Sequence, residues 1–584
     1  MTWTPWIQVY DPLGSPWLST AAAAFPIVLL LVALAVLEWR AHVAALAGLV
    51  AALAVSTLVF GMPVPTAGAT ALYGAAYGLL PIGWIIVNAV FLYNLTVETG
   101  QFEVVKHSVS RLSADRRVQA LLVAFSFGAF IEGAAGFGTP VAICSALLMG
   151  LGFTPLYAAG LSLIANTAPV AFGAIGTPIL TLAAVTGIPA HTLGVMAGRQ
   201  LPFVSLIVPA WLVVTMSGWR GLRGVWPAVA VCGGTFALVQ YGWSNFVGVE
   251  LVDIVGGLAS IAALAVFSRV WQPRDVWEFD PVPGAAPVVP PPAIHGPSRG
   301  AVLRAWMPWL FLSVAVILWG LAPVKVFLNG GPRALALYRA GGKATVSSFL
   351  SPAWDVPLLH RAVFREYPVV PAPVDGARIG DPAYRAARAE PAVFTLNWAS
   401  ATGTAILLAA LATALYLRVS LAQFFAVAAM TLRRMRSSLA TIMLMLSLGF
   451  VTRYGGTDAT LGLAFTKTGM LYPFFAAVLG WLGVALTGSD TSSNVLFGSL
   501  QKITAQQLGF NPVLIVTANS TGGVMGKMID AQSIVVATAS TGQVGQEGRI
   551  LRFVFWHSVG LVIIMGIIVM LQAYVLRWMV PAMP

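Results

Sequence analysis

The sequence predicts an all-α polytopic membrane protein with about 12–14 transmembrane helices, because apolar runs near the span length of roughly 20 residues recur along it. We expect two repeated halves, each with a re-entrant hairpin and a broken helix. Of its 584 residues, 58% are hydrophobic and only 9% are charged, whereas soluble domains carry about 25% charged residues. The apolar runs are continuous and do not alternate with polar residues, which argues against a membrane β-barrel.

The chain divides around a polar middle section, in which prolines and mixed polar residues replace the apolar pattern. We predict an N-terminal transmembrane half (1–271), a Pro-rich linker (272–300), one transmembrane helix (301–328), an extramembrane loop (329–392) and a C-terminal transmembrane half (393–584). The apolar segments that we interpret as spans or partial spans are 18–37, 41–60, 69–97, 118–131, 141–151, 156–185, 192–216, 225–243, 249–268, 304–328, 393–417, 437–452, 469–487, 491–500, 511–540 and 553–576.

The net charge of +12 comes from 32 Lys and Arg against 20 Asp and Glu. In a polytopic protein, basic residues collect in cytoplasmic loops, so we predict contact with the lipid bilayer and no nucleic-acid partner. With the basic loops in the cytoplasm, the N-terminus and the 329–392 loop lie outside. The basic clusters contain Lys106, Arg111, Arg116, Arg117, Arg220, Arg223, Arg269, Arg274, Arg433, Arg434 and Arg436.

Enzyme and metal chemistry find little support in the sequence. Cys144 and Cys232 both lie in apolar segments, where a thiol usually packs as a small apolar group. Two cysteines form neither a disulfide framework nor a metal cluster, and the spans carry no HExxH or GxSxG motif. We therefore predict that the protein is not an enzyme and has no cofactor or metal.

An internal repeat is the most informative pattern. The first half reads GFGT (136–139), LGFTPL (151–156) and IANTAPVAFGAIGTPI (164–179), and the second reads GSDT, LGFNPV and TANSTGGVMGKMIDAQSI. The spacing from Gly136 to Asn166 is 30 residues, and that from Gly488 to Asn519 is 31. Transporters with repeated halves place broken segments at corresponding positions, with the substrate site between them.

The Gly-rich breaks favour a small anion as substrate. A half-helix that begins after such a break presents unpaired N–H groups and a partial positive charge, which together bind a carboxylate. Nearby hydroxyls and amides are candidates for binding the rest of the solute. The candidate substrate-binding residues at the breaks are Gly136, Gly138, Thr139, Asn166, Thr167, Thr491, Ser492, Ser493, Asn494, Asn519 and Ser520.

Charged residues inside the spans add candidates for proton coupling. Intramembrane carboxylates are rare and usually functional, which makes Glu132 the first candidate and Asp490, at the second break, the next. Burial disfavours the charged form of a carboxyl group, so such a group takes up protons readily.

Other charged residues have simpler interpretations beside a functional one. Lys527 and Asp530 are spaced to pair across one helical turn, and Lys527 is also a candidate substrate ligand. Arg199 is a candidate carboxylate anchor. For Arg453 and Asp458, near a span end, we expect a solvated pair.

Longer motifs carry a resemblance to a known family. FIEGAAGFGTPVA (130–142), LIANTAPVAFGAIGTPI, GRQLPF, GWLGVALTGSDTSSNVLFGSLQ and GGVMGKMI together resemble the lactate permease family. The likeness runs from YDPLGSPWLS near the start to LQAYVLRWM near the end. It implies a multi-pass symporter of the bacterial inner membrane that carries L-lactate, D-lactate or glycolate with protons. It also implies paired re-entrant hairpins and elevator-type motion.

Two departures and several alternatives remain. The family usually has Ser-Pro where this chain has Asp530-Ala531, and TRYGGTD (452–458) carries more charge than the family pattern.

Sodium-coupled transport of another organic anion would use carbonyls of the broken helices to hold the ion. An anion channel would use the same N–H dipoles without a coupling carboxylate. The enantiomer preference and the oligomeric state are not predictable from the residues.

Overall fold

Helices that begin and end near the predicted apolar segments form nearly all of the computed structural model. It describes residues 5–35, 37, 39–110, 113–136, 138–279, 298–339, 349–370, 381, 384–385 and 388–582. The longer helices are Pro16–Ala35, Ala41–Ala54, Val64–Tyr77, Trp84–Glu98, Gln101–Ser110, Arg116–Ala134, Thr139–Gly150, Pro155–Ala165, Gly173–Thr186, Ala190–Ala197, Leu201–Phe246, Val252–Val270, Arg299–Gly320, Ala322–Arg339, Thr402–Leu417, Leu421–Gly455, Thr457–Phe465, Tyr472–Thr487, Asp490–Leu508, Pro512–Gly526, Ala531–Ser540 and Glu547–Tyr574.

Within the described ranges, 10 helices are long and apolar enough to cross a membrane, or 11 if the bent pair Pro155–Ala165 and Val170–Thr186 is one span. This count is lower than the predicted 12–14 for two reasons. Leu201–Phe246 folds back on itself at Gly218, where φ is +67°, and the Ser205 hydroxyl donates to Gln240 Oε1 at 2.7 Å. Thr402–Leu417 is apolar but short, at 16 residues. The chain is a multi-pass helical membrane protein.

Two helical hairpins lie at the predicted Gly-rich breaks. Hairpin 1 consists of Arg116–Ala134 and Thr139–Gly150, and its break contains Gly136 and Gly138, with φ of +58° and +78°. Hairpin 2 consists of Tyr472–Thr487 and Asp490–Leu508, and Gly488 at its break has φ of +72°. Only glycine adopts such positive φ angles at little cost, which explains the glycines that sequence reasoning found there.

Each hairpin is followed by a broken helix. Broken helix 1 consists of Pro155–Ala165 and Gly173–Thr186, which are bent by 63°, and Ala174, Ile175 and Gly176 form a left-handed turn at its break. Broken helix 2 consists of Pro512–Gly526 and Ala531–Ser540, with a 3₁₀ turn and Asp530 between them. The break of broken helix 1 begins at Asn166, where the repeat predicted it. In the second half the predicted position, Ala518–Asn519, lies within the continuous helix Pro512–Gly526 and the break follows it, so that prediction was wrong; the equivalence of the two halves as copies stays a prediction.

The two halves pack crosswise. In hairpin 1, Ser145 lies 2.6 Å, hydroxyl to hydroxyl, from Ser540 of broken helix 2. In hairpin 2, Asn494 Nδ2 donates to the Pro178 carbonyl of broken helix 1 at 3.2 Å, and Lys502 Nζ donates to the Thr186 carbonyl at 2.6 Å. Each hairpin is therefore held against the broken helix of the other half.

The basic clusters only partly lie in loops. Arg117 donates to the carbonyls of Gly221 and Asp275, so three of the predicted basic segments meet on one face of the bundle. The cluster at 433–436 lies within the long helix Leu421–Gly455, not in a loop as predicted, and Arg111 is outside the described residues.

The predicted linker and loop are described in part, since residues 280–297, 340–348 and most of 371–387 are outside the described ranges. The helix Ala322–Arg339 extends into the predicted 329–392 loop. The described residues include four short strands, one near the N-terminus, two within the predicted loop and one just after it: Trp6–Ile7 pairs with Val363–Phe364, and Ala353–Asp355 pairs with Val393–Thr395.

Arg453 and Asp458 do not form the solvated pair that we expected. Arg453 instead binds Glu390 of the loop at 2.9 Å, and Arg365 also pairs with Glu390. Asp458 is buried and accepts hydrogen bonds from the Ser499 hydroxyl and the Ala459 amide. The local sequence gave no sign of this arrangement because Glu390 lies 63 residues before Arg453.

Loss of the Glu390 ion pairs should loosen the loop. Burial alone raises the pKa of Glu390, but Arg365 and Arg453 outweigh it and hold the pKa below its ordinary value. The stabilisation of the docked loop by Glu390 is therefore fully present above the pKa of this residue in the unfolded chain, about 4.3. It is lost as the pH falls through the lower pKa of Glu390 in the folded protein. We expect Glu390→Gln to destabilise loop docking by about 1.5–3 kcal/mol.

Amide hydrogen exchange of 353–364 measures this effect. The prediction is a lower protection factor, which is the intrinsic exchange rate divided by the observed rate at the same pH, in Glu390→Gln at neutral pH, and a lower protection factor in the unmodified protein only when it is acidified. Equal protection factors of the two proteins at neutral pH would contradict it. The exposed Glu98 supplies a matched control, Glu98→Gln.

Candidate functional site

Glu132 is buried at the end of the first helix of hairpin 1, facing broken helix 1. A Cβ placed on Gly173 would lie 2.5 Å from Glu132 Oε1, and one placed on Gly136 would lie 3.4 Å from the same atom. Asn166 lies against the carboxyl group and interacts with it, but among the described residues Glu132 Oε2 and both polar side-chain atoms of Asn166 have no partner at full hydrogen-bond geometry. The first pair of breaks thus surrounds a carboxyl group with at least one oxygen that has no well-formed hydrogen bond.

Lys527 connects the breaks of the second half. Its Nζ donates to the Gly488 carbonyl of hairpin 2 at 2.6 Å and lies 3.2 Å from Asp530 Oδ2, so the predicted Lys527–Asp530 pairing is present. Asp530 is fully buried, and its Oδ1 caps the helix Ala531–Ser540 by accepting from the Ser533 amide at 2.8 Å. The Lys527 charge also acts on Glu132 and on Asp490. One ammonium group therefore acts on the carboxyl groups of both hairpins.

Asp490 begins the second helix of hairpin 2 and is held by side chains. Its Oδ2 accepts from the Ser520 hydroxyl at 2.5 Å and from Asn494 Nδ2 at 3.4 Å. Asn519 Nδ2 donates to Asn494 Oδ1 at 2.9 Å, while Asn519 Oδ1 accepts from Gln501 Nε2 at 2.8 Å. These bonds fix hairpin 2 to broken helix 2.

Buried polar atoms without a hydrogen-bond partner among the described residues lie at the breaks of both halves. In the first half, Thr167 Oγ1 joins the Asn166 atoms and Glu132 Oε2. In the second half, Asn519 and Ser520 have partners, but Asp490 Oδ1 and Thr517 Oγ1 have none. Because buried polar groups normally have partners, the breaks of both halves have capacity for a ligand or water.

The helix N-termini differ in their capping. The Ser489 hydroxyl caps Asp490–Leu508 by accepting from the Ser492 amide, and Asp530 caps Ala531–Ser540. The helix Thr139–Gly150 begins after Gly138 with no side-chain cap, although the Thr139 amide donates to the Gly136 carbonyl at 3.1 Å and Pro140 has no N–H. It is therefore the positive end of the helix dipole, more than a set of free N–H groups, that faces the break and favours an anion there.

The predicted site residues divide into three groups. Glu132, Gly136, Asn166, Lys527 and Asp490 come together at the breaks, as described above. Thr139 and Thr491 are half-buried at the first turn of the second helix of each hairpin, beside Gly138 and Ser492. Ser493 and Asn519 pack within the second half, where the Ser493 hydroxyl donates to the Gly480 carbonyl at 3.1 Å.

Arg199 lies apart from the breaks. Its guanidinium donates to Asn245 Oδ1 at 2.9 Å and to the Met579 carbonyl at 2.8 Å. These bonds join the hairpin Leu201–Phe246 to the C-terminal segment. They give Arg199 a structural role, and its role as a carboxylate anchor stays a prediction that these contacts do not support.

Asp253 is a site residue that sequence reasoning missed. It lies in the first turn of Val252–Val270, is fully buried and interacts electrostatically with Glu132. The sequence contained a sign of its importance, because Asp253 lies inside the predicted span 249–268 and carboxyl groups inside spans are usually functional.

A methyl group at Gly173 should disturb the site directly, because the Cβ of Gly173→Ala would lie 2.5 Å from Glu132 Oε1 and 3.1 Å from its Cγ. We expect a destabilisation of about 1–3 kcal/mol from overpacking, measured as a lower thermal unfolding temperature in detergent. Gly234→Ala is the matched control, since a Cβ there meets no described atom within 4 Å. Equal unfolding temperatures of the two variants would contradict the placement of Glu132.

Comparison with known proteins gives a consistent result over nearly the whole chain. The family model for L-lactate permease matches residues 19–576. The L-lactate permease of Escherichia coli K12 is 47% identical over 99% of this chain and 100% of its own length. The glycolate permease GlcA of the same strain is 47% identical over 98% and 99% of the two chains. The L-lactate permease of Bacillus subtilis 168 is 45% identical over 99% and 100%.

Proposed function

This chain belongs to the L-lactate permease family, and from that premise we propose that it imports L-lactate by proton symport across the bacterial inner membrane. D-lactate and glycolate are the further proposed substrates. The observation that best supports this proposal is the arrangement of the four breaks, which places an unsatisfied carboxyl group, an ammonium group and an uncapped helix N-terminus together. That combination suits an anion that travels with a proton.

We infer that the substrate carboxylate binds at the N-terminus of Thr139–Gly150. Backbone N–H groups at a helix N-terminus hold a carboxylate without a dedicated cation. The 2-hydroxyl group of the substrate would then bond to the amide of Asn166 and the hydroxyl of Thr167, whose polar atoms lack partners. A buried amide that loses such a partner is costly, which would select against acids without the hydroxyl.

Coupling follows from charge competition in the proposed site. An ionised Glu132, one turn before the break that precedes Thr139–Gly150, repels the substrate carboxylate in a low-dielectric environment. Protonation of Glu132 removes that repulsion and leaves the Lys527 charge free to attract the anion. The proton and the substrate therefore bind together and leave together, which is the condition for symport.

Purified protein in liposomes tests this proposal. With the membrane potential clamped at zero, a pH gradient of one unit is worth about 1.4 kcal/mol per proton, so one-to-one symport accumulates radiolabelled L-lactate about tenfold. D-lactate and glycolate should compete, and propionate, which lacks the hydroxyl group, should compete poorly. If accumulation requires a sodium gradient, the coupling ion is sodium and not the proton. Anion conductance without counterflow would instead identify a channel.

A further inference from the structure

The carboxyl group of Asp253 has no hydrogen-bond partner in the part of the chain that the structure describes. Asp253 has no exposed surface, and neither Oδ1 nor Oδ2 makes a hydrogen bond to a described residue. It packs directly on hairpin 1, since a Cβ placed on Gly133 would lie 2.9 Å from the Cβ of Asp253 and 2.8 Å from the Ile254 amide nitrogen. Gly133 follows Glu132 in the chain, so the two acidic residues approach the same stretch of backbone.

The segment before Asp253 reaches the break of broken helix 1. A Cβ placed on Gly176, in the left-handed turn, would lie 2.6 Å from the Val249 carbonyl oxygen. Residues 249–254 are therefore wedged between hairpin 1 and broken helix 1, the two elements that also enclose Glu132. Asp253 and Glu132 interact electrostatically there.

Two carboxyl groups enclosed together do not both stay ionised, because each raises the cost of charging the other. A protonated carboxyl group next to an ionised one also donates a hydrogen bond, which would satisfy atoms that otherwise have no partner. We propose that Glu132 and Asp253 form a proton-sharing pair. This proposal rests on the proposed proton symport and adds to it a second proton-carrying residue.

The surrounding charges indicate which residue holds the proton at rest. Lys527 and Asp530 act on Glu132 from broken helix 2, whereas Glu132 is the charged group that acts on Asp253 among the described residues. Glu250, three residues before Asp253, accepts from the Val249 amide. The ammonium group of Lys527 favours an ionised Glu132, which leaves the resting proton on Asp253.

The proton step is then a transfer within the pair. When substrate arrives, the O–H bond of Asp253 breaks and an O–H bond forms on Glu132, so the negative charge moves away from the substrate carboxylate. A proton from the aqueous phase then protonates Asp253. On the other side Asp253 gives this proton up to the aqueous phase as the anion leaves, after which the O–H bond of Glu132 breaks and an O–H bond re-forms on Asp253. The net result is one proton carried with one anion.

Asp253→Asn tests the pair in liposomes. We expect the inside-to-outside ratio of lactate under a one-unit pH gradient to fall from about ten to about one, which is no accumulation. Lactate exchange at equilibrium should be retained and should no longer depend on pH. Glu132→Gln/Asp253→Asn should accumulate no less than Glu132→Gln alone, because the two residues act as one unit. Glu250→Gln, on the same segment, is the matched control and should accumulate lactate normally.

Wild-type accumulation with an unchanged pH profile in Asp253→Asn would overturn the pair while leaving proton symport intact. Failure of the unmodified protein to accumulate lactate would instead overturn the proposed function. If Asp253→Asn does not fold, Asp253→Glu replaces it. This variant keeps a carboxyl group but moves it, so it should accumulate lactate with a shifted pH midpoint of exchange, and an unshifted midpoint would count against the pair.

Discussion

Glu132→Gln abolishes proton-driven accumulation and leaves lactate exchange partly active: this is the largest functional effect that we expect. Glutamine has nearly the shape of the protonated acid, so a neutral group stays next to the anion site at the N-terminus of Thr139–Gly150, and the site itself stays open to substrate. The substrate can still bind and cross, but no proton is exchanged with the solvent. Accumulation under a one-unit pH gradient should fall from about tenfold to about onefold.

The measurement compares net uptake with equilibrium exchange in the same liposome preparation. Glu98→Gln is the control, because Glu98 is exposed at the end of Trp84–Glu98. If Glu132→Gln accumulates lactate as the unmodified protein does, Glu132 is a structural residue and the proton is carried elsewhere.

Lys527→Met should have the largest effect on stability. It leaves the fully buried Asp530 without its ion partner at 3.2 Å and the Gly488 carbonyl without its donor at 2.6 Å. Removal of one partner of a buried ion pair costs about 3–5 kcal/mol. We expect a lower thermal unfolding temperature in detergent and loss of lactate binding, since the two breaks of the second half are no longer joined.

A second substitution separates the two effects. Lys527→Met/Asp530→Asn removes the unpaired charge, and asparagine retains the helix cap, so most of the thermal stability should return while lactate binding does not. Lys106→Met is the control, because Lys106 pairs with Glu103 at the surface and surface pairs contribute about 0–1 kcal/mol. An unfolding temperature of Lys527→Met equal to that of this control would show that the buried pair does not hold the breaks together.

Much of the fold was predictable because membrane burial leaves strong local signals. Apolar length located the spans, and the glycines at 136, 138 and 488 located the breaks where φ is positive. The crossing count was harder to derive, since it depends on where a continuous apolar run turns. Gly218 reverses Leu201–Phe246, and its sequence neighbours do not distinguish a kink from a reversal.

The site was predictable one residue at a time, but its assembly was not. Sequence reasoning selected Glu132, Asp490 and Lys527 because charge inside a span is costly. It did not show that Lys527 reaches the Gly488 carbonyl 39 residues earlier, because only tertiary packing sets that distance. Asp253 was missed since it sits at a helix start, where a carboxylate often serves the helix dipole. Arg199 attracted attention by its charge alone, and its partners lie 46 and 380 residues away.

The central claim is that the breaks of both halves face one substrate site, and substrate protection of single cysteines tests it most directly. In a Cys144→Ser/Cys232→Ser background, Thr139→Cys and Thr491→Cys each place one thiol at the break of one hairpin, where both threonines are half-buried. We predict that lactate slows thiol labelling at both positions with the same half-saturating concentration. Protection at only one position, or at two different lactate concentrations, would contradict a shared site.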